Sequence, residues 1–296
     1  MKFTIPIIFL LFTFSCFAYA SDAYAPDAEE AQAFADAYGQ EIKQKESAEI
    51  YSTLELPKHS LEAGSEIYYF KYREPDVMRE DGMMYGLAAD YAYHNKVMLK
   101  ADGRGSWGTV DYKNSGTINN INDWNLEFRG TGGYDFKLTD SFILTPYFGA
   151  GYRYLNDDSS GKISSSNAAG YERESNYLYS PVGVEGIFSK WQGWKLGFSA
   201  EYDIFWRGWQ KSHLSDANRN FGDVSNTQDS GYGIRGSLKL QKTGEVIDFI
   251  VEPFIRYWQI DRSKDSDVTY SGVIVGYGYE PKNNTTESGV KVGVKF

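Results

Sequence analysis

Residues 123–136 read DWNLEFRGTGGYDF, and this stretch decides the fold. Trp124, Leu126, Phe128, Tyr134 and Phe136 share one parity, while Asp123, Asn125, Glu127, Arg129 and Asp135 share the other. Side chains of a β-strand point alternately to its two faces. The segment is therefore a strand with one aromatic-aliphatic face and one charged face.

The same alternation returns at 194–207, WKLGFSAEYDIFWR, where Trp194, Leu196, Phe198, Ala200, Tyr202, Ile204 and Trp206 oppose Lys195, Ser199, Glu201, Asp203 and Arg207. The chain ends on Val290, Val292, Val294 and Phe296 opposite Lys291 and Lys295. Working outward from these anchors, strands are expected near 65–74, 83–93, 97–112, 123–136, 141–155, 172–187, 193–209, 229–241, 247–262 and 287–296. Connections near His94-Asn95, Lys137–Asp140, Ser189–Gln192 and Lys242–Glu245 are short. Others, such as 156–171, 210–228 and 263–286, are long and rich in Asp, Asn and Ser.

Short turns at one end and long loops at the other are the asymmetry of a membrane barrel, whose strands alternate lipid-facing and lumen-facing residues. The expected fold is all-β: a closed antiparallel transmembrane β-barrel over 65–296, with about 10 strands and a range of about 8 to 12. A soluble β-sandwich also alternates. It would not combine that pattern with an export signal, aromatic strand ends and one-sided long loops.

Composition agrees. Aromatic residues make up 17%, with 24 Tyr and 30 Gly against 8 Pro, which suits pleated strands. The mean hydropathy of -0.49 leaves no apolar run beyond the N-terminus that could form a membrane helix. A net charge of -10 excludes nucleic acid as a partner, since phosphate binding needs a basic footprint.

Residues 1–20 read as a signal peptide: Lys2, an apolar core from Phe3 to Phe17, and Ala18-Tyr19-Ala20 before the cut. The chain's sole cysteine, Cys16, lies inside it, so the mature protein would carry no thiol, as suits an oxidising periplasm. Residues 21–64 form an acidic periplasmic leader, helical or disordered. Ala31, Phe34, Ala35, Tyr38 and Ile42 fall near helical spacing there, and Pro57 would end any regular structure in it.

On the face turned from lipid, charges of both signs alternate. The expected lumen network comprises Lys71, Arg104, Glu127, Arg129, Glu201, Asp203, Arg235, Glu252 and Arg256, with Arg73, Arg153 and Arg207 on the same face. A barrel of about eight strands has an interior that side chains fill, and wide aqueous channels come with about 16 or more. Paired Arg and Glu in so narrow a lumen point to a closed salt-bridge network, because buried charges persist when paired. Tyr68, Tyr72, Tyr152, Tyr154, Trp206 and Tyr257 are candidates for the aromatic girdles.

The length, ten expected strands, long upper loops and terminal Phe296 resemble the omptins, ten-stranded outer-membrane endopeptidases. Val292, Val294 and Phe296 also look like the terminal signal read by the outer-membrane assembly machinery, including in autotransporter translocators. The omptin resemblance implies two acidic residues on one side of the barrel mouth and an Asp-His pair on the other, activating a water. His213 stands at the position of the family's histidine, but Lys211 replaces the aspartate two residues before it. Asp111 and Asp123 are isolated instead of closely spaced, and in place of the aspartate lost at Lys211, Asp216 is the alternative partner for His213.

No G-x-S-x-G element is present. Glu172, Arg173 and Glu174 read as a charge-paired rim. Asp157-Asp158 and Asp261, Asp265 and Asp267 match no calcium loop, so no metal and no cofactor is assigned. The expected function is non-enzymatic: a barrel of the cell outer membrane with a structural or surface-interaction role carried by its loops. A narrow channel for small polar solutes comes second, and an omptin-like endopeptidase third. Expected partners are outer-membrane lipid, lipopolysaccharide, the assembly machinery and an extracellular ligand of the loops.

Overall fold

The computed structural model describes residues 29, 32, 33, 35–40, 54–114, 116–191 and 193–296. The expected signal peptide and most of the leader lie outside the described residues. The chain divides into two units, Met1–Ala48 and Glu49–Phe296. In the first, the described residues are helical. No helix among the described residues is long and apolar enough to cross a membrane.

The second unit is built from strands β1 (His59–Glu74), β2 (Met78–Asn95), β3 (Val97–Asn114), β4 (Gly116–Tyr134), β5 (Phe136–Thr139), β6 (Phe142–Asp158) and β7 (Glu172–Trp191). These are followed by β8 (Trp194–Ser212), β9 (Val224–Gln228), β10 (Gly231–Lys242), β11 (Asp248–Ile260), β12 (Ser266–Tyr270), β13 (Val273–Gly278) and β14 (Asn283–Lys295). All pairings are antiparallel. The ring runs β1-β2-β3-β4-β6-β7-β8-β10-β11-β14 and closes through β1 on β14, giving a ten-stranded closed barrel. Closure removes the exposed edges that an open sheet would present.

Every expected strand is present, and most run farther toward the loop end than the alternation implies; β1 starts at His59, ahead of the expected 65. The short β5 continues the β4 wall against β6. Two elements arise inside expected loops: β9 pairs with the top of β8, and β12 with β13 forms a separate hairpin.

The outer wall is apolar. Leu87, Leu99, Phe128, Phe148, Val182, Leu238, Ile255 and Val292 are all exposed there. Such a band is stable where lipid, not water, covers it. Both ends of the barrel chain meet at the short-turn end, where the Phe296 amide donates to the Leu61 carbonyl at 2.9 Å. Phe296 and Val292 point outward, and Val294 is half-buried.

The interior is filled with side chains. Toward the loop end, Tyr68, Phe70, Met84, Val110, Ile121 and Phe254 pack as one apolar cluster, and Tyr177, Tyr179, Phe205, Trp258 and Ile260 as another. Two corrections follow. In β1 the inward residues are Glu62, Glu66, Tyr68, Phe70 and Glu74, so Lys71 and Arg73 face outward and Tyr68 belongs to the interior and not to a girdle. Tyr72 likewise turns inward, donating to Glu280 at 3.0 Å. In β8 an irregular register against β7 near Leu178/Tyr179 inserts Trp206 and shifts the parity beyond Phe205, so that Arg207 is exposed beside Trp209, while Gln210 and Ser212 turn inward. A bulge of this kind flips every side chain beyond it.

Candidate functional site

Three charged layers occupy the barrel, and each follows from strand parity. Nearest the short-turn end, Lys291 holds Glu62 at 2.7 Å and Glu252 at 2.8 Å, Lys239 holds Glu62 at 3.0 Å, and Lys100 holds Glu185 at 2.5 Å.

The middle layer is dominated by arginine. Arg235 makes a bidentate contact to Glu127 at 2.9 and 2.5 Å and reaches Asp203 at 2.7 Å and Glu201 at 3.1 Å. Arg104 pairs with Glu127 at 2.6 Å and Glu287 at 3.0 Å; Arg129 pairs with Asp102 at 2.7 Å and Glu201 at 2.8 Å; Arg256 pairs with Glu66 at 2.7 Å. Arg153 and Glu287, both with 0% side-chain exposure, meet at 2.5 Å. Guanidinium forks match carboxylates in this geometry, and the attraction is strong because water is excluded. Tyr179 donates to Glu127 at 2.5 Å, and Gly151 leaves it room: a Cβ there would fall 2.3 Å from the Tyr179 ring.

Of the lumen residues expected from the sequence, Arg104, Glu127, Arg129, Glu201, Asp203, Arg235, Glu252 and Arg256 are thus brought together, and Lys71 is not. Alternation also misses Glu66 and Glu287. Glu287 shares the parity of Lys291 and Lys295, which would have revealed it. Glu66 is hidden by the misplaced register of β1.

The third layer lies at the loop end. Arg173 on β7 pairs with Glu74 at 3.0 Å, Glu80 at 3.0 Å and Asp157 at 3.1 Å, and stands over the Tyr72 ring. Asp123 is buried beside this group and lines the same small cavity as Glu80, Asp157 and Arg173. Burial, reinforced by Glu74 and opposed by Arg173, pushes the carboxyl of Glu280 in the loop before β14 up to about 7.

Outside this layer, on the rim, stands His213, immediately after β8. Its Nδ1 lies 3.2 Å from Asp223 and its Nε2 lies 3.4 Å from Glu174. Asp216 is not its partner: that carboxylate accepts the amide of Glu172 at 3.2 Å. The 214–217 helical turn carries Asp216 away from the ring, and the loop returns through Asp223 to β9. Ser215 donates its hydroxyl to Asp223 at 2.7 Å, and with its amide and the nearby His213 and Lys211 it holds that carboxyl below the usual range. An imidazole oriented by a carboxylate is therefore present, though from a residue ten places on instead of two places before. No sequence spacing announces it, because the contact depends on the β8–β9 turn.

No family model matches the chain. No curated protein sequence matches it. Among solved structures, the chain is similar to the outer-membrane protease OmpT from Escherichia coli, with a TM-score of 0.56 and 10% identity over 83% of this chain and 99% of that one. It also aligns with the translocator domain of the autotransporter NalP from Neisseria meningitidis, with a TM-score of 0.41 and 12% identity over 91% and 98% of the two chains, too distant to add to the argument. At such identities the likeness is one of fold, and that fold is the closed ten-stranded barrel of omptin-like, outer-membrane architecture.

Proposed function

We propose that this chain resides in the outer membrane as a sealed barrel and acts, without catalysis, through its loop-bearing rim as a surface-interaction protein. The observation that carries this reading is the Arg153–Glu287 pair. It joins β6 to β14, five places apart in the ring of ten and so diametrically opposite, and both side chains are fully buried. A bridge across the full width of the lumen, flanked by the Arg104, Arg235 and Arg256 pairs, supports a lumen closed to solutes. A wide pore would need far more strands.

The rim supplies the interacting surface. On β13, Val273, Val275 and Tyr277 are 65%, 59% and 74% exposed, a contiguous apolar strand of the kind that marks an interaction site. Lipid and lipopolysaccharide would cover the outer wall below it.

Planar-bilayer recording of the purified protein tests the seal. The wild type is expected to show no stable conductance, and the Arg153→Ala/Glu287→Ala variant to admit ions. A large, stable wild-type conductance would overturn the reading in favour of a channel.

A second reading, hydrolysis at the rim, is favoured by the Asp223–His213 contact alone. It would require cleavage of a peptide library by the wild type that both His213→Ala and Asp223→Asn abolish. Intact peptides after prolonged incubation dismiss it.

A further inference from the structure

We propose that Glu172, Glu174 and His213 form a binding site for one divalent transition-metal ion, of the Zn²⁺ type, at the rim of the barrel. Glu172 and Glu174 are two residues apart on β7 and so project from the same face of the strand. His213 is fixed beside them, because its amide donates to the Glu172 carbonyl at 2.9 Å. One ligand atom from each of the three side chains lies within 4.8 Å of the others.

The surroundings of this trio are those of a coordinating set. Asp223, itself anchored by the Ser215 hydroxyl at 2.7 Å, takes the Nδ1 side of the imidazole at 3.2 Å. In the metal-free site Nε2 hydrogen-bonds Glu174 at 3.4 Å; a dication takes the place of that proton, and Nδ1–H is then left to face Asp223, the outer-sphere carboxylate arrangement of metal-binding histidines. Glu172 is oriented in the same way: the buried Asn156 donates to its Oε1 at 2.6 Å, leaving Oε2 for a ligand. An imidazole nitrogen and two carboxylates thus converge, with Nε2 the one nitrogen among them. A dication satisfies all three at once. The nitrogen donor favours a transition metal over Ca²⁺ or Mg²⁺, which take all-oxygen sets. Metal–ligand bonds of about 2.0–2.2 Å are reached by small side-chain rotations, and water completes the tetrahedron. The site ties the β6–β7 loop to the β8–β9 loop and does not depend on whether the lumen is sealed.

The test uses the full-length barrel, free of lipopolysaccharide, in detergent after chelator treatment. Titration with Zn²⁺ by calorimetry, and with Co²⁺ followed by its visible absorption, is expected to show one ion per chain with tetrahedral nitrogen–oxygen ligation. His213→Ala and Glu174→Gln should each remove this binding, and Asp223→Asn should weaken it about 10- to 100-fold. All three variants should keep the wild-type tryptophan fluorescence, since the trio lies outside the barrel core. Absence of stoichiometric binding to the wild type, or binding that His213→Ala and Glu174→Gln leave unchanged, would overturn the proposal. In the first case the trio is a histidine held by hydrogen bonding to Glu174 and by its contact with Asp223.

Discussion

Neutralising Glu127 tests the arginine layer most directly. In Glu127→Gln, Arg235 loses its bidentate partner but keeps Asp203 at 2.7 Å and Glu201 at 3.1 Å. Arg104 keeps Glu287 at 3.0 Å. Breaking a buried pair costs about 3–5 kcal/mol, and the surviving partners place this variant near the lower end, about 3 kcal/mol. Arg235→Met leaves Glu127 with Arg104 and Tyr179 but strips Asp203 of its guanidinium, and should cost about 4 kcal/mol. If the two residues act on each other, the double variant should cost less than the sum by about 1–3 kcal/mol. Urea unfolding in detergent micelles, followed through the fluorescence of the 7 tryptophans, gives all three values. Repeating the series in 1 M salt should change them little, because buried pairs are poorly screened. Additivity within about 0.5 kcal/mol would refute the claim that this contact is an energetic unit.

Other expectations are simpler to state. Glu280, raised from 4.5 to about 7, favours its protonated form in the folded state. Its contribution to stability is therefore full below pH 4.5, falls as pH rises toward 7 and stays low above, a loss of about 3 kcal/mol. Glu280→Gln should flatten that part of the stability–pH curve and be the more stable protein at pH 8; an unchanged slope would contradict the assignment. Gly151→Ala should displace Tyr179 from Glu127 and cost about 1–3 kcal/mol by the same unfolding assay. Lys71→Ala, on the outer face, should change stability by less than about 0.5 kcal/mol. A large loss there would return Lys71 to the lumen.

The barrel was legible in the sequence because lipid and lumen impose opposite chemistry on alternate residues. Where that opposition fails, so does the reading. Residues 66–72, EIYYFKY, place aromatics on both parities, and Lys71 then appears to be the lumen residue. The interior near the loops is an apolar cluster around Tyr68 and Phe70, so aromatic character no longer identifies the lipid face. Parity also carried past the β8 irregularity without notice, which misplaced Arg207. The rim site was the least legible part. His213 stood out, but its contacts with Glu174 and Asp223 arise from a cross-strand neighbour and a returning loop. Neither leaves a fixed spacing in the chain.

The middle layer also has a bearing on assembly. Arg104, Arg153 and Arg256 come from β3, β6 and β11, yet they share Glu287 on β14, the strand that closes the ring on β1. Until β14 docks against β1, Arg104 has Glu127 and Arg256 has Glu66, but Arg153 lacks the Glu287 carboxylate it pairs with. The other strands supply part of the countercharge, and β14 completes it in a single step. A barrel lacking β14 buries an unpaired Arg153 guanidinium and is disfavoured for that reason, so the seam between β14 and β1 closes cooperatively with the charge layer.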